Sequence, residues 1–534
     1  MSAFQRVTHR LLSVLLVCSG LGHIPMTLAQ SAGFHINEFA VEGSTLIKPD
    51  RVQAIVKPFT GSSRTIDDIN AAAEALRKAY ESSGYPVVRV FPPPQETTTG
   101  RIILKVIEGE LESVTVKGNQ QFDTANIRNS LPQLKEGRKP NTSRIVAEIA
   151  AANESPAKQV AVNFQAAEKV GNIDAVVQVQ EDRPEKFTAS LDNLGNAASG
   201  KRRVNFGYQN ANLFNRDHMV TVQVGTSDQP SRGFQISGGY RIPFYGTGLS
   251  LDTIASYSDS NSTSNVGFGS TVFNGRGSLL GLRLNQSLAS RGEYRHRVIY
   301  GIDYKDFDNT CAGINAGTCG TVTAQPFSLA YVASMATPGW QAGGNFAWVS
   351  NIGGGSHGSA EEYALARLNA DRNWSALRAG AKLTVPMPAD TQFRFALNGQ
   401  HSSDRLIASE QFGVGGAFTV RGFSERSMTG DSGYTANTEL YSPKFGQQVS
   451  EKLSARALLF VDYGQVSFTR PANALEQRNK LSSAGTGLRA NWGKDVSLRF
   501  DLGVALDDFA GVTGANNSRS KGDVFGHFGI NWQF

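Results

Sequence analysis

Cysteine is nearly missing from this chain of 534 residues, which has only Cys18, Cys311 and Cys319. So few exclude a disulfide-dense scaffold or a cysteine-rich metal module. Cys311 and Cys319 are separated by Ala-Gly-Ile-Asn-Ala-Gly-Thr, with no nearby histidine or further cysteine to complete a zinc shell. An intraloop disulfide is the favoured reading there, ahead of two free thiols or half of a metal site. Runs of five or six basic residues are also missing, although the formal charge is +6, so no nucleic-acid partner is read from it. The eight histidines are scattered. No phosphate-cradling loop occurs, and no cofactor is expected. Gly354-Gly355-Ser356-His357-Gly358 matches Gly-x-Ser-x-Gly in form. It sits in a glycine-rich loop without the strand-to-helix turn that exposes a nucleophile, so no enzyme is expected.

Long apolar runs are missing too. The single candidate, Leu11 to Leu21, follows Arg6 and Arg10 and precedes the small-residue site Thr27-Leu28-Ala29. That is the pattern of a secretory signal peptide, residues 1–29, and the run is too short for a membrane helix of about 20 apolar residues. Val17 before Cys18 does not suit a lipoprotein site, so no lipid anchor is expected. A mean hydropathy of −0.26 with 56 glycines does not suit an ordinary soluble enzyme. A transmembrane barrel resolves this, because only alternate residues of its strands meet lipid. The final segment has that alternation: Phe528, Ile530, Trp532 and Phe534 share one face, and His527, Gly529, Asn531 and Gln533 the other. Bacterial outer-membrane barrels typically end on such a strand with a terminal Phe, which assembly machinery reads. These four apolar residues are the candidate barrel-assembly signal.

Residues 34–182 read differently, as two successive units of strand, two helices and two strands. In the first, Ile36, Phe39 and Val41 suggest a strand, and Ile69, Ala72, Leu76 and Tyr80 recur at helical spacing. Strands are expected at 87–91 and 101–107. The second unit has strands at 111–116, 159–164 and 173–179 and helical stretches at 122–130 and 141–154. The domain boundaries drawn from this are 34–109 and 110–183, with the barrel over 184–534.

Barrel strands of about ten residues follow one another between Gly, Ser, Asn and Asp clusters, for example at 203–213, 219–225, 234–242, 249–257, 279–288, 294–304, 455–466 and 496–506. A first parse yields 17 strands. Since single-chain bacterial barrels have even numbers, residues 363–386 are merged into one long strand, leaving 16 antiparallel strands around an aqueous lumen.

Gly84-Tyr85-Pro86, Val106-Ile107-Glu108-Gly109 and Val116-Lys117-Gly118-Asn119 resemble signatures of polypeptide-transport-associated (POTRA) domains. Between the eleventh and twelfth strands lies Glu410-Gln411-Phe412-Gly413-Val414-Gly415-Gly416-Ala417-Phe418-Thr419-Val420-Arg421-Gly422-Phe423. With two POTRA-like units before a barrel, it resembles two-partner secretion transporters, the haemolysin and filamentous-haemagglutinin secretion proteins. The resemblance covers essentially the whole mature chain.

The resemblance implies that loop 402–432 folds into the lumen and that Arg421 of Val420-Arg421-Gly422-Phe423 pairs with Asp462 of Phe460-Val461-Asp462-Tyr463-Gly464 on the barrel wall. A guanidinium meets a carboxylate bidentately, and Gly415, Gly416 and Gly422 permit a tight backbone path. Many members carry an N-terminal plug helix. Here only about four residues separate Gln30 from the first strand, against about 20 for a 30 Å helix. The expectation is that loop 410–423 and its neighbours alone obstruct the resting pore.

By the same resemblance, the protein recognises an unfolded exoprotein of adhesin or cytolysin class through periplasmic domains and secretes it across the outer membrane of a Gram-negative cell without ATP. Periplasmic chaperones, the outer-membrane assembly machinery and outer-membrane lipid are further expected partners. The edge at 159–164 of the second unit, with Val160, Val162 and Phe164, is the candidate cargo-binding strand. The alternative function is an outer-membrane protein insertase of the same superfamily, which usually carries more POTRA domains.

Overall fold

The computed structural model describes residues 33–195, 200–231, 233–259, 262–266, 269–273, 276–308, 320–471, 478–510 and 518–534. The signal-peptide reading and the Cys311/Cys319 pair fall outside the described residues.

The chain divides into two compact units at Glu108/Gly109. In the first, Glu38–Glu42 runs parallel to the central strand Arg101–Ile107, and Arg89–Phe91 pairs antiparallel on its other side. Helix Ile66–Ser82 starts from a capping box of Thr65 with Asp68. It buries Ile69, Ala72, Leu76 and Tyr80 on one face, as their spacing requires. Gly84, at φ 92°, ends this helix: Tyr85 N–H donates to Tyr80 O at 2.9 Å and Gly84 N–H to Glu81 O at 2.9 Å. This is a glycine-capped Schellman stop, which explains Gly-Tyr-Pro physically.

The second unit opens with the same topology. Leu111–Lys117 is parallel to the central Ile173–Glu181, which pairs antiparallel with Lys158–Ala166. The two α+β domains share a latch. Glu108 accepts from Thr45 N at 2.7 Å, Leu46 N at 2.9 Å and the Tyr80 hydroxyl at 2.8 Å. Glu181 accepts from Gln120 N, Gln121 N and Phe122 N at 2.9, 2.6 and 3.1 Å. Each carboxylate collects the N–H groups of the bend that follows the first strand. Gly43 and Gly118 pass so close to the carbonyls of Val106 and Val179 that a Cβ would overlap them.

After the three-residue connection Asp182 to Pro184, the antiparallel barrel begins at Glu185–Asp192 and closes on Val524–Gln533. Among the described residues it has sixteen strands, counting once the strand broken at Gln325 into Thr321–Ala324 and Pro326–Ala336, both halves of which pair with Tyr294–Asp308. Side chains alternate as expected. Leu280, Leu282 and Leu284 are exposed toward lipid, while Leu279, Gly281 and Asn285 face inward.

The count of sixteen agrees with the sequence parse, but one element differs. Residues 363–386 are not a single strand: Ala360–Ala366 is a helix and the strand is Ser375–Met387. The helix starts on a capping box of Ser359 with Glu362. It turns Tyr363 onto an inward-facing apolar cluster with Phe307, Val322, Val349, Trp374, Leu406 and Ile407. The seam between the last and first strands has five paired residues, from Gly529↔Asp192 to Gln533↔Thr188. It is extended by Phe534, whose N–H and C=O both bond Phe187, at 3.0 and 2.9 Å.

Candidate functional site

The loop between the eleventh strand, Thr391–His401, and the twelfth, Ser432–Tyr441, is held first at its root. Glu410, buried, receives Lys305 Nζ at 2.8 Å and Arg378 Nη2 at 2.9 Å from the wall. Asp431, at the other end, takes Arg367 at 2.5 Å and the N–H of Leu406 at 3.0 Å. A short hairpin pairs Phe412–Val414 with Met428–Gly430. Past it, Gly415 and Gly416, at φ 105° and 112°, start a turn closed by Gly416 N–H to Val420 O at 3.1 Å and Thr419 N–H to Gly416 O at 3.2 Å. Those backbone angles are steep for any residue with a Cβ.

The turn delivers Arg421 to the wall. Its Nε and Nη2 donate to the two oxygens of Asp462 at 2.7 and 2.8 Å, a bidentate fork, and its backbone N–H reaches Asp462 Oδ2 at 3.1 Å. The side chains are 2% and 0% exposed, so the pair is dry. The guanidinium lies 3.5 Å from the ring centroid of Phe460.

Strand periodicity explains the Phe-x-Asp-x-Gly spacing. In Leu453–Ser467, Phe460, Asp462 and Gly464 fall on the same lumenal face at i, i+2 and i+4. Phe460 is the platform beneath the guanidinium, Asp462 its partner, and Gly464 the clearance: a Cβ there would overlap Val414 Cγ1 and stand 2.9 Å from Val420 Cγ2. Val414, Val420 and Phe423 bury with Met428, Val466, Leu481 and Ala505 into an apolar seal between loop and wall. Gly422 follows directly, its N–H donating to His527 Nε2 at 3.3 Å.

Several residues of the site carry no motif. Arg421 Nη1 also meets Glu439 at 2.7 Å and Asp501 at 3.3 Å. Asp501 is held by Arg489 at 2.8 Å and Arg499 at 2.7 Å. The belt therefore matches Arg421, Arg489 and Arg499 against Asp462, Glu439 and Asp501. Asn437, directly opposite Asp462 in register, donates to it at 2.8 Å and also to the carbonyl of Thr419 on the loop. Gly503 lets the loop pass, since a Cβ there would be 2.6 Å from Gly422 N. The sequence does hold a signal for these: charged residues midway along a membrane strand must face the lumen.

The other sequence-derived residues lie apart from this belt. Val160, Val162 and Phe164 sit on Lys158–Ala166, an edge strand of the second α+β domain. Ala157 O accepts from Asp182 N on the inner side, so even-numbered residues turn their N–H and C=O outward. At Val160 both groups are already taken: Asn153 Oδ1 accepts from the N–H at 2.6 Å, and Asn153 Nδ2 donates to the C=O at 3.0 Å. Val162 and Phe164 are the outward positions that follow. Ile530, Trp532 and Phe534 are exposed on the lipid side of the last strand, with Phe528 half-buried on the same face. Among the described residues no group of three or more His, Cys, Asp or Glu is placed to hold a metal ion, and no helix is long and apolar enough to cross a membrane.

Comparison with known proteins gives the family and the fold. Residues 171–490 match the model of the family described as "Haemolysin secretion/activation protein ShlB/FhaC/HecB", and residues 34–109 match that of the ShlB-type POTRA domain. The heme/hemopexin transporter protein HuxB of Haemophilus influenzae is 22% identical over 490 residues, covering 86% of this chain and 81% of HuxB. The outer membrane transporter CdiB of Escherichia coli O6:K15:H31 is 24% identical over 435 residues, 78% of this chain and 70% of CdiB. Among solved structures, CdiB from Escherichia coli superposes with a TM-score of 0.74 at 18% identity, covering 96% of this chain and 93% of that one. CdiB from Acinetobacter baumannii gives 0.68 at 16%, covering 95% and 91%. Fold and family agree, and the chain belongs to the ShlB/FhaC/HecB haemolysin secretion/activation family: it is a two-partner secretion transporter, a pore in the outer membrane with POTRA domains in the periplasm, through which a large exoprotein is secreted.

Proposed function

We propose that the Arg421 belt is the latch of this pore, and that loop 402–432 docked against Asp462 is the resting, closed arrangement. The observation that carries this reading is one dry guanidinium, on a loop that turns inward from the extracellular end, meeting carboxylates from three different wall strands. An unfolded exoprotein of adhesin or cytolysin class enters from the periplasm, displaces the loop and folds outside, which supplies direction without ATP.

In this reading residues 1–29 direct export and are removed, 34–109 and 110–183 are the two POTRA domains, and 184–534 is the barrel. The segment carrying Tyr363 and Trp374 closes the upper lumen together with the loop. Cargo adds as a strand along Val162 and Phe164, the outward positions that Asn153 leaves uncovered, and main-chain hydrogen bonds give affinity without strict sequence demand. Chaperones keep the chain export-competent, and the assembly machinery reads Phe528, Ile530, Trp532 and Phe534. The lipid-facing apolar positions meet outer-membrane lipid, and Cys311 and Cys319 join within their loop.

The test is secretion of the exoprotein encoded beside this chain, with wild type, Arg421→Ala and a deletion of both POTRA domains, at equal levels of assembled barrel. Loss of exoprotein from the medium in both variants is the expected result, for Arg421→Ala because a freed loop no longer holds a defined path and impairs passage of the chain. Persistent secretion alongside a fall in general outer-membrane proteins would replace this reading with the insertase.

A further inference from the structure

Lys158 is a lysine without access to water. It opens the edge strand of the second α+β domain, yet its ammonium is 0% exposed and lies 2.5 Å from Asp217 Oδ2, itself 2% exposed. Asp217 belongs to the turn between the second and third barrel strands, where Phe214, Asn215 and Asp217 all have positive φ. Three further groups complete the knot. Asn126 accepts from Lys158 Nζ at 2.8 Å and donates to Asp217 Oδ1 at 3.1 Å, and the Tyr245 hydroxyl, from the next periplasmic turn, donates to Asp217 Oδ2 at 2.7 Å. The Phe122 ring covers the ammonium at 5.1 Å. Around these groups the apolar core of the domain continues into Ala211 and Met219 of the barrel. Burial lowers the pKa of Lys158 and the Asp217 carboxylate opposes that.

An ion pair this dry is a poor way to gain stability, because desolvating both charges offsets most of their attraction. What it does supply is direction. Apolar surfaces tolerate sliding and rotation, whereas a buried charge has one acceptable partner position.

We propose that Lys158 and Asp217 are positioning residues, which hold the second POTRA domain in a single orientation on the barrel so that cargo on its edge strand is handed to the lumen. This rests on the edge-strand reading given above.

The test uses the full-length chain in cells, with a photo-crosslinking residue at Val162 and epitope-tagged exoprotein from the adjacent reading frame. The variant is Lys158→Met with Asp217→Asn, which removes both charges, keeps side-chain length and retains a residue tolerant of positive φ. Expected is an assembled, heat-resistant barrel, crosslinks at Val162 close to wild type, and secretion reduced about tenfold. That drop corresponds to an aligned orientation that has become about a tenth of the population. Wild-type secretion by the double variant would overturn the proposal. So would a proportional fall of crosslinks and secretion, because the knot would then merely shape the edge itself. If the wild-type chain gives no crosslink at Val162, the edge reading fails separately, and the joint is judged on secretion: loss with intact barrels supports it and no loss overturns it.

Discussion

Replacing Arg421 by methionine keeps an unbranched chain over Phe460 but removes the guanidinium paired with Asp462. Asp462 then retains the Asn437 amide and the N–H of residue 421, and the belt changes from three arginines facing three carboxylates to two facing three. Breaking a buried pair on one side costs about 3–5 kcal/mol, because the remaining charge stays desolvated. The undocking equilibrium of the loop then shifts by about two to three and a half powers of ten. Removing Asp462 instead leaves Arg421 with Glu439 and Asp501, so Asp462→Asn costs less than Arg421→Met. Undocking is read by maleimide labelling of Ser427→Cys, a loop position 7% exposed, in a chain with Cys311→Ser and Cys319→Ser. Labelling should accelerate strongly in Arg421→Met and less in Asp462→Asn. Equal rates in all three chains would refute the latch, and a faster Asp462→Asn would refute the charge reasoning.

Other outcomes follow from single contacts. Gly464→Ala puts a methyl against Val414 and Val420, and overpacking of about 1–3 kcal/mol should loosen the loop without touching a charge, again visible as faster labelling at residue 427. Val162→Pro should abolish exoprotein crosslinking to the second POTRA domain while circular dichroism reports a folded domain. Asn153→Ala, which uncovers the backbone of Val160, should strengthen it; unchanged crosslinking in both would remove the edge from the mechanism. Glu108→Gln in a fragment spanning residues 33–108 should lower its urea midpoint by an amount equivalent to about 2 kcal/mol, because the hydrogen bonds that Thr45, Leu46 and Tyr80 donate to a carboxylate become weaker ones or are lost.

Much of this architecture was legible in sequence, because strand alternation and helix spacing leave direct marks. The strand expected at 101–107 lies at Arg101–Ile107, and that at 203–213 at Arg203–Leu213. The helix Ala360–Ala366 was missed for a physical reason. Its seven residues span barely two turns and bury Tyr363 alone, so no 3.6-residue pattern develops. Ser359 and Glu362 were the available signal, as a capping box. The total of sixteen strands survived because merging absorbed the helix into a neighbouring true strand. At the site, Arg421 and Asp462 could be named from motifs and do lie in contact. Glu439 and Asp501 could not, since every inward-facing charge looks alike until register puts Glu439 opposite Phe460 and Asp501 opposite Gly487 and His527.

The ion pairs that gather around Arg421 have a consequence for ions. Arg421 is the one member of that belt carried by the loop, so the proposed latch is also a counter-ion. When it leaves, Arg489 and Arg499 remain paired with Asp501, while Asp462 and Glu439 lose the arginine that bridged them. Undocking should then shift the lumen's selectivity toward cations, and the change in its reversal potential in a salt gradient reads out whether the loop is docked. Dissolved cations also compete with Arg421 for the vacated carboxylates, which makes reclosure slower as ionic strength rises.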